Sequence, residues 1–475
     1  SWVAQTDLPQ HNGFIVVDSD LRVSGDPHLF AVGDCAHMPF APRPKAGVFA
    51  VRAAPVLHDN LRAVLTGGPL RRFRPQKSYL KLVSLGGKTA LAEKYGFAVA
   101  APLLWRWKDR IDRAFMDKLA HLPIMKAPVP PSDVALSEAN EHLEAPLCGG
   151  CGAKVGGSVL RGSLNDEGAT DHADVVRAQG DDAAILRQPG GGFQVLSTDH
   201  LRAFVEDPVQ MTRIAAVHAL GDVWAMGAAP QTALSTIILP RMSQALQSRT
   251  LHEINSTARH VFGAAGASVV GGHTTMGAEL TIGFTVTGTC AQKPITLGGA
   301  QAGDVLLLTR PIGTGVILAA HMAGRAPPRV TAQTLAQMEQ PQSIAADVLS
   351  DAHAMTDVTG FGLAGHVDSM CRASGVRATL WQSEIPVYEG ARALSALGIA
   401  SSLLASNVAD VSIDGPHDPL LHDPQTAGGL LAALPLDRAE IALAQLAAQG
   451  CHGWVIGTLS EGIGPIQLMQ QRALK

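Results

Sequence analysis

Apolar residues along this chain come in short runs that end on glycine or aspartate. Phe14-Ile-Val-Val17 and Leu29-Phe-Ala-Val32 read as short buried strands, the second running into Gly33-Asp34-Cys35-Ala36. Phe193-Gln-Val-Leu-Ser-Thr reads as a strand ending on Asp199, and Val305-Leu-Leu-Leu-Thr309 as another. Gly180-Asp181-Asp182-Ala183-Ala184-Ile185 sets paired carboxylates just before an apolar strand start, and Ile214 to Met226 is a helical run. Val269-Val-Gly-Gly-His273-Thr-Thr reads as a strand entering a glycine turn. Leu104 to Phe115 is an amphipathic helix with two tryptophans, and its charges are mixed in sign. That favours docking on a protein core over lying on a membrane.

Single charges stand out against this pattern. Asp222 is the only formally charged residue between Arg213 and Arg241, and Asp357 the only one between Asp351 and Asp368. A buried carboxylate is costly unless a cation or donors satisfy it. Taken singly, each reads as a helix cap or backbone tether. Together, Asp182, Asp199, Asp222 and Asp357 point to Mg²⁺, a hard ion that takes carboxylate oxygens and bridges them to phosphates.

One stretch adds a nucleophile. Cys148-Gly-Gly-Cys151-Gly-Ala-Lys154-Val-Gly-Gly157 bends freely, offers backbone N–H groups to an anion, and sets a lysine three residues from a thiol, which favours the thiolate. Alone it reads either as a linker with a stray Cys pair or as the mobile lid of a site. The pair does not open a helix after a strand, as a redox motif would, and no second ligand pair lies near enough for zinc. Ile312-Gly-Thr-Gly315 faintly suggests a dinucleotide loop, but it lacks the third glycine and the ribose-reading acid.

Totals narrow the class. At 475 residues, 46% hydrophobic and 16% charged, the chain is expected to form two or three domains of a soluble enzyme. A net charge of −4 argues against nucleic acid, and six scattered cysteines argue for a reducing cytoplasm. No apolar run spans a bilayer and no signal peptide is present. The chain starts at Ser1, mid-motif, as a piece of a longer polypeptide would. The expected parts are 1–121, a Pro-rich linker 122–146, and two halves of a second domain, 147–297 and 298–475.

The block Gly25-Asp-Pro-His-Leu-Phe-Ala-Val-Gly-Asp34-Cys-Ala36, followed by Lys45-Ala-Gly-Val-Phe-Ala-Val-Arg52, resembles the second flavin-contacting motif of NADH dehydrogenase-like flavoproteins. The resemblance implies that residues 1–121 are the C-terminal remnant of such a protein, with Asp34 on the flavin. The upstream G-x-G-x-x-G is absent, so FAD is expected only in a longer chain. The Trp-bearing helix would dock on that flavoprotein core.

From about 147 to 470 the chain resembles the selenophosphate synthetase (selenide, water dikinase) family of the AIR-synthetase-like superfamily. The blocks are Cys151-Gly-Ala-Lys154, Gly180-Asp-Asp-Ala-Ala184, Ser197-Thr-Asp199, Ala219-Leu-Gly-Asp-Val-Trp-Ala-Met-Gly227, Gly271-Gly-His273, Leu308 to Gly315, Met355 to Leu363 and Asp423-Pro-Gln-Thr-Ala-Gly-Gly429. The resemblance implies an α/β (α+β) fold, the two-subdomain ATP-binding architecture, behind a truncated FAD/NAD(P)-disulfide-oxidoreductase-like segment. It implies a homodimer that turns ATP, selenide and water into selenophosphate, AMP and orthophosphate. It makes Cys151 and Lys154 catalytic and gives Mg²⁺ to Asp182, Asp222 and Asp357. ATP falls to Lys154, Gln179, Gly180, Asp181, Asp199, Asp222, Gly271, Gly272 and His273.

Two departures stand out. Ala153 occupies a position that is often a second Cys, and Thr274-Thr275 replaces the family's usual Ser and aliphatic pair. Two other readings stay open. A thiamine-monophosphate-kinase-like enzyme would share the aspartates but not the Cys151–Lys154 loop. A flavin-dependent NADH oxidoreductase would need the missing glycine fingerprint.

Overall fold

The structure, a computed structural model, describes residues 2–120, 147–164, 172–177, 181–416 and 418–471, and the chain divides into two compact units, Ser1–Leu122 and Pro123–Lys475. Among the described residues, no helix is long and apolar enough to cross a membrane. The expected linker, 122–146, lies outside the described residues.

In the first unit, β1 (Gln10–His11), β2 (Phe14–Val16) and β3 (Ala36–His37) form one small sheet. Strands β4 (Lys81–Gly86), β5 (Thr89–Lys94) and β6 (Phe97–Ala101) form an antiparallel meander. Helix α1 (Gly47–Thr66) packs Ala53 and Val56 with Leu21 and Phe73. Asn60 is buried in the same helix. Its amide donates to Asp20 O (2.6 Å) and Arg71 O (2.8 Å) and accepts the Arg71 N–H (2.7 Å), so a polar side chain ties the helix down with its capacity filled.

One expectation fails here. Leu29–Val32 is not a full strand: Phe30 makes one isolated bridge to Arg22, flanked by the Val23 N–H to Leu29 O and Ala31 N–H to Leu21 O hydrogen bonds, and Leu29 stays exposed. Helix α2 (Pro102–Ala120) forms where expected and packs on the β4–β6 meander with Leu104 and Trp105 half-buried, although none of its residues is fully buried. Leu103, Trp107, Ile111, Phe115 and Leu119, spaced four apart, make an exposed ridge beside that contact.

The second unit opens with α3 (Gly157–Leu164), β7 (Val175–Arg177), β8 (Ala184–Arg187), β9 (Phe193–Arg202), α4 (Pro208–Ala225), β10 (Ala229–Pro240), α5 (Gln244–Ala264), β11 (Ser268–Gly277) and β12 (Thr281–Cys290). Its first sheet has the order β11-β10-β12-β9-β8-β7. There follow β13 (Val305–Leu308), α6 (Thr314–Met322), α7 (Pro328–Met338), α8 (Ser343–Val348), β14 (Ala354–Asp357), α9 (Gly362–Ser374) and β15 (Val376–Trp381). The chain ends with α10 (Ala391–Ala396), α11 (Leu404–Asp410), β16 (Ile413–Asp414), β17 (Leu430–Leu434), α12 (Leu436–Ala448), β18 (Trp454–Glu461) and β19 (Ile466–Met469). The second sheet has the order β14-β17-β13-β18-β15-β19-β16.

Helix α4 joins the two sheets. Asp207 caps its N-terminus by accepting the N–H groups of Val209 and Gln210, with Pro208 as the first helical residue. From Ile214 to Ala225 every side of the helix is buried, as an apolar helix without an amphipathic stripe requires. One core runs from Ile282, Phe284 and Val286 on β12, through Leu220 and Val223, to Met355 and Leu430 of the second sheet. The polar groups on α4 are therefore held between two rigid layers.

Candidate functional site

Helix α4 and strand β9 match each other in pitch. Two strand residues advance about 6.6 Å and four helix residues about 6.0 Å. Ser197 and Asp199 point to the same side of β9, opposite the buried Val286 and Phe284 of β12. They meet Asp222 and His218, one helical turn apart. The Ser197 hydroxyl donates to Asp222 Oδ2, and His218 Nε2 lies 3.6 Å from Asp199 Oδ2.

Asp357 ends β14, where it pairs with Leu430, and reaches α4 from the other sheet. Ligand oxygens of Asp182, Asp222 and Asp357 all lie within 4.8 Å of one another. Burial first, and then mutual repulsion, pushes all three carboxyls well above their ordinary range. Asp182 Oδ1 accepts the Thr356 hydroxyl at 2.8 Å, whereas Asp182 Oδ2 is buried with no hydrogen-bond partner. Three crowded anions and one bare oxygen form a donor set short of positive charge. Hard oxygen ligands suit Mg²⁺ there. A cleft of about 570 Å³ opens beside Asp182 between Leu160 of α3 and Asp368 and Arg372 of α9.

The glycine-rich stretch lies against this cluster. Cys148 and Cys151 are both free thiols, and residues 150–152 are buried. Gly150 has φ +61°, and a Cβ there would sit 2.6 Å from Thr426 Oγ1. The same hydroxyl accepts the Cys151 N–H at 3.0 Å, while the Ser402 hydroxyl donates to Gly152 O at 2.9 Å. The stretch is a buried plug, not an open loop.

Lys154 Nζ lies 3.2 Å from Asp199 Oδ1. Although burial opposes its charge, Asp199 and the neighbouring Cys151, Asp222 and Asp357 hold it above the ordinary lysine range. Asp199 is lowered despite burial, by Lys154 and then His218. The expected thiolate does not follow. Burial pushes the Cys151 thiol up to about 12, and Lys154, committed to Asp199, does not offset that.

The other candidates fall elsewhere. Asp181 accepts the N–H groups of Asp182 (3.1 Å) and Leu297 (3.1 Å), which orients the chain entering the cluster. Gln179 and Gly180 lie outside the described residues. Gly271, Gly272 and His273 are exposed on β11, which runs unbroken where a turn was expected. Parallel pairing with Leu234, Ser235 and Thr236 of β10 keeps the stretch extended, and a bulge absorbs Val270. Asp34, in the first unit, is exposed in a 3₁₀ turn from Gly33 to Cys35.

The rejected dinucleotide loop has another role. Gln425 Oε1 accepts the N–H groups of Gly313 (2.9 Å) and Thr314 (3.1 Å), and Asp423 Oδ2 that of Gly315 (2.9 Å). The Asp423–Gly429 block thus fills the donors that begin α6.

Two histidines escaped the sequence reading. Cys151 Sγ lies 3.3 Å from His218 Nε2. His366 Nε2 accepts the Thr359 N–H at 3.0 Å, so its proton sits on Nδ1, 3.2 Å from the Thr356 hydroxyl that donates to Asp182. The signal for His218 was its position one turn before Asp222, and for His366 its place in an otherwise uncharged stretch.

Comparisons with known proteins agree on this unit. The AIR synthase related protein N-terminal domain matches residues 180–290, and its C-terminal domain matches residues 301–465. Selenide, water dikinase of Rhizobium meliloti (strain 1021) is 34% identical over 336 residues, 68% of this chain and 96% of that protein. The protein of the same name from Myxococcus xanthus (strain DK1622) is 35% identical over 332 residues, 66% and 93%. The crystal structure of tt0281 from Thermus thermophilus shares the fold with a TM-score of 0.52 at 21% identity, covering 67% of this chain and 98% of that one.

Proposed function

The chain belongs to the selenide, water dikinase family, and we propose that its second unit carries out selenophosphate synthesis at the site around α4. ATP, selenide and water give selenophosphate, AMP and orthophosphate. The observation that carries the site assignment is the convergence of Asp182, Asp222 and Asp357 beside a plug that places Cys151 and Lys154.

Asp182, Asp222 and Asp357 hold Mg²⁺, which when bound neutralises charge on the triphosphate. Lys154 keeps its proton and supplies a fixed cation. Asp199 orients that ammonium, and Ser197 orients Asp222. Cys151 is the reacting thiol, buried from water together with the flanking residues 149–152. Gln179, Gly180, Asp181 and residues 271–273 complete the ATP set on the family pattern. Phosphorus NMR with ATP, Mg²⁺ and selenide tests the assignment. AMP and selenophosphate should appear together and only with selenide; ADP accumulating as the end product rules it out.

Three finer assignments belong to the same reading. The chain acts in the cytoplasm. It pairs as a homodimer through the open face of the first sheet, where Leu196, Leu234 and Val270 are exposed, and light scattering should give twice 49.5 kDa. Residues 1–121 are the C-terminal part of an NADH dehydrogenase-like flavoprotein. Asp34 serves FAD in a longer chain, which should purify with flavin absorbance where this one does not.

A further inference from the structure

Cys151, Asp199 and His218 arrive from a 3₁₀ turn, a strand and a helix and meet at one imidazole nitrogen. Cys151 Sγ is 3.3 Å and Asp199 Oδ2 is 3.6 Å from His218 Nε2, while Nδ1 is buried with no hydrogen-bond partner. Burial, only partly offset by Asp199, lowers His218 to about 4, so the ring is neutral near pH 7. A neutral imidazole carries one proton, on one nitrogen or the other. A proton on Nδ1 would leave a buried donor unpaired and aim the bare Nε2 lone pair at a carboxylate. A proton on Nε2 leaves only an unfilled acceptor, the less costly defect, and gives the N–H two acceptors.

We propose that His218 is a positioning residue for the Cys151 sulfur, with Nε2–H donating to Sγ and stabilising negative charge on it. The role rests on Cys151 being the reacting thiol. It is not that of a general base, because the free lone pair, on Nδ1, faces away from the sulfur. Lys154 and Asp199 are the charged groups that act on the ring. The sulfur is fully buried, so no water can replace a lost donor.

The test uses the full chain. Nitrogen-15 NMR of the imidazoles, with the His218 signal identified by its loss in His218→Gln or His218→Met, should show protonation at Nε2. If neither variant folds, the signal that moves in Cys151→Ser identifies it. Protonation at Nδ1 overturns the proposal. Met fills the volume without a donor, and selenophosphate formation should fall about 10- to 100-fold in kcat with the KM for ATP unchanged. Gln restores a donor near the Nε2 position and should recover most of that loss. An active Met variant, or a folded Gln variant as poor as Met, overturns the proposal. Full activity in Cys151→Ser would remove the reacting-thiol reading, while the NMR result still decides the hydrogen bond.

Discussion

Asp357 can approach α4 only because residue 221 has no side chain: a Cβ on Gly221 would stand 2.5 Å from Asp357 Oδ2. The contact is what brings a carboxylate of the second sheet to the carboxylates of the first. For the proposed Mg²⁺ site Gly221 contributes space, although a glycine inside a helix costs about 1 kcal/mol relative to alanine.

Gly221→Ala should therefore displace Asp357 and weaken Mg²⁺ by about 10-fold or more. Calorimetric titration with Mg²⁺ measures it directly. Unchanged affinity would mean that Asp357 does not reach the ion.

Asp222 is held among like charges, with the Ser197 hydroxyl as its hydrogen-bond donor. Asp222→Asn removes one anion from a crowded buried set, so the metal-free protein should gain about 1–3 kcal/mol of stability. The same variant should lose most of the thermal stabilisation that Mg²⁺ confers on the wild type. Melting curves with and without Mg²⁺ separate the two effects, and a variant less stable than wild type in the absence of metal would contradict them.

How much of this was legible in the sequence follows from what each rule can see. A lone charge in an apolar run has few neutral explanations, so Asp222 and Asp357 showed themselves. His218 lies in the same run but counts as uncharged, and the rule that found Asp222 passed over it. Sequence spacing set Lys154 beside Cys151 but was blind to the burial of the thiol and to Asp199 taking the ammonium. The glycines of 271–272 looked like a turn because their pairing partner, β10, is a long-range feature. β9, a strand that carries its own alternation, was found from its start at Phe193, although it runs on to Arg202 past the end expected at Asp199. The strand expected at Leu29–Val32 meets only Leu21–Val23, across a single bridge, and no longer ladder forms.

Thr356 links His366 to Asp182, and its hydroxyl is the hydrogen-bond donor to Asp182 Oδ1. Thr356→Val keeps the shape and removes that donor. It should cost about 1 kcal/mol of stability and weaken Mg²⁺ by about 3- to 10-fold, because the carboxylate loses its orientation. His366→Phe should cost more stability, since the buried Thr359 N–H then has no acceptor. Equal Mg²⁺ affinity in wild type and Thr356→Val would show that Asp182 is positioned by the backbone alone.

Asp423 provides the pH prediction. Burial raises its carboxyl to about 7, even though the N–H groups of Gly315 and Val316 and the Gln425 amide all favour the charged form. The folded-state value lies above the ordinary value of 3.8, so between roughly pH 4 and pH 7 the folded chain holds a proton that the unfolded chain releases. Stability from this group is therefore greatest at the acidic end and falls as pH rises through about 7. Asp423→Asn cannot titrate and should flatten that fall by an amount on the order of a few kcal/mol. The slope is the proper readout, because asparagine also changes a hydrogen-bonding group and so shifts stability by an amount that does not depend on pH. Urea unfolding at several pH values from 5 to 8, wild type against variant, isolates the contribution from those of Asp182, Asp222 and Asp357, which are common to both. Parallel stability curves would show that Asp423 is ionised throughout and that the N-terminus of α6 is enough to hold it charged.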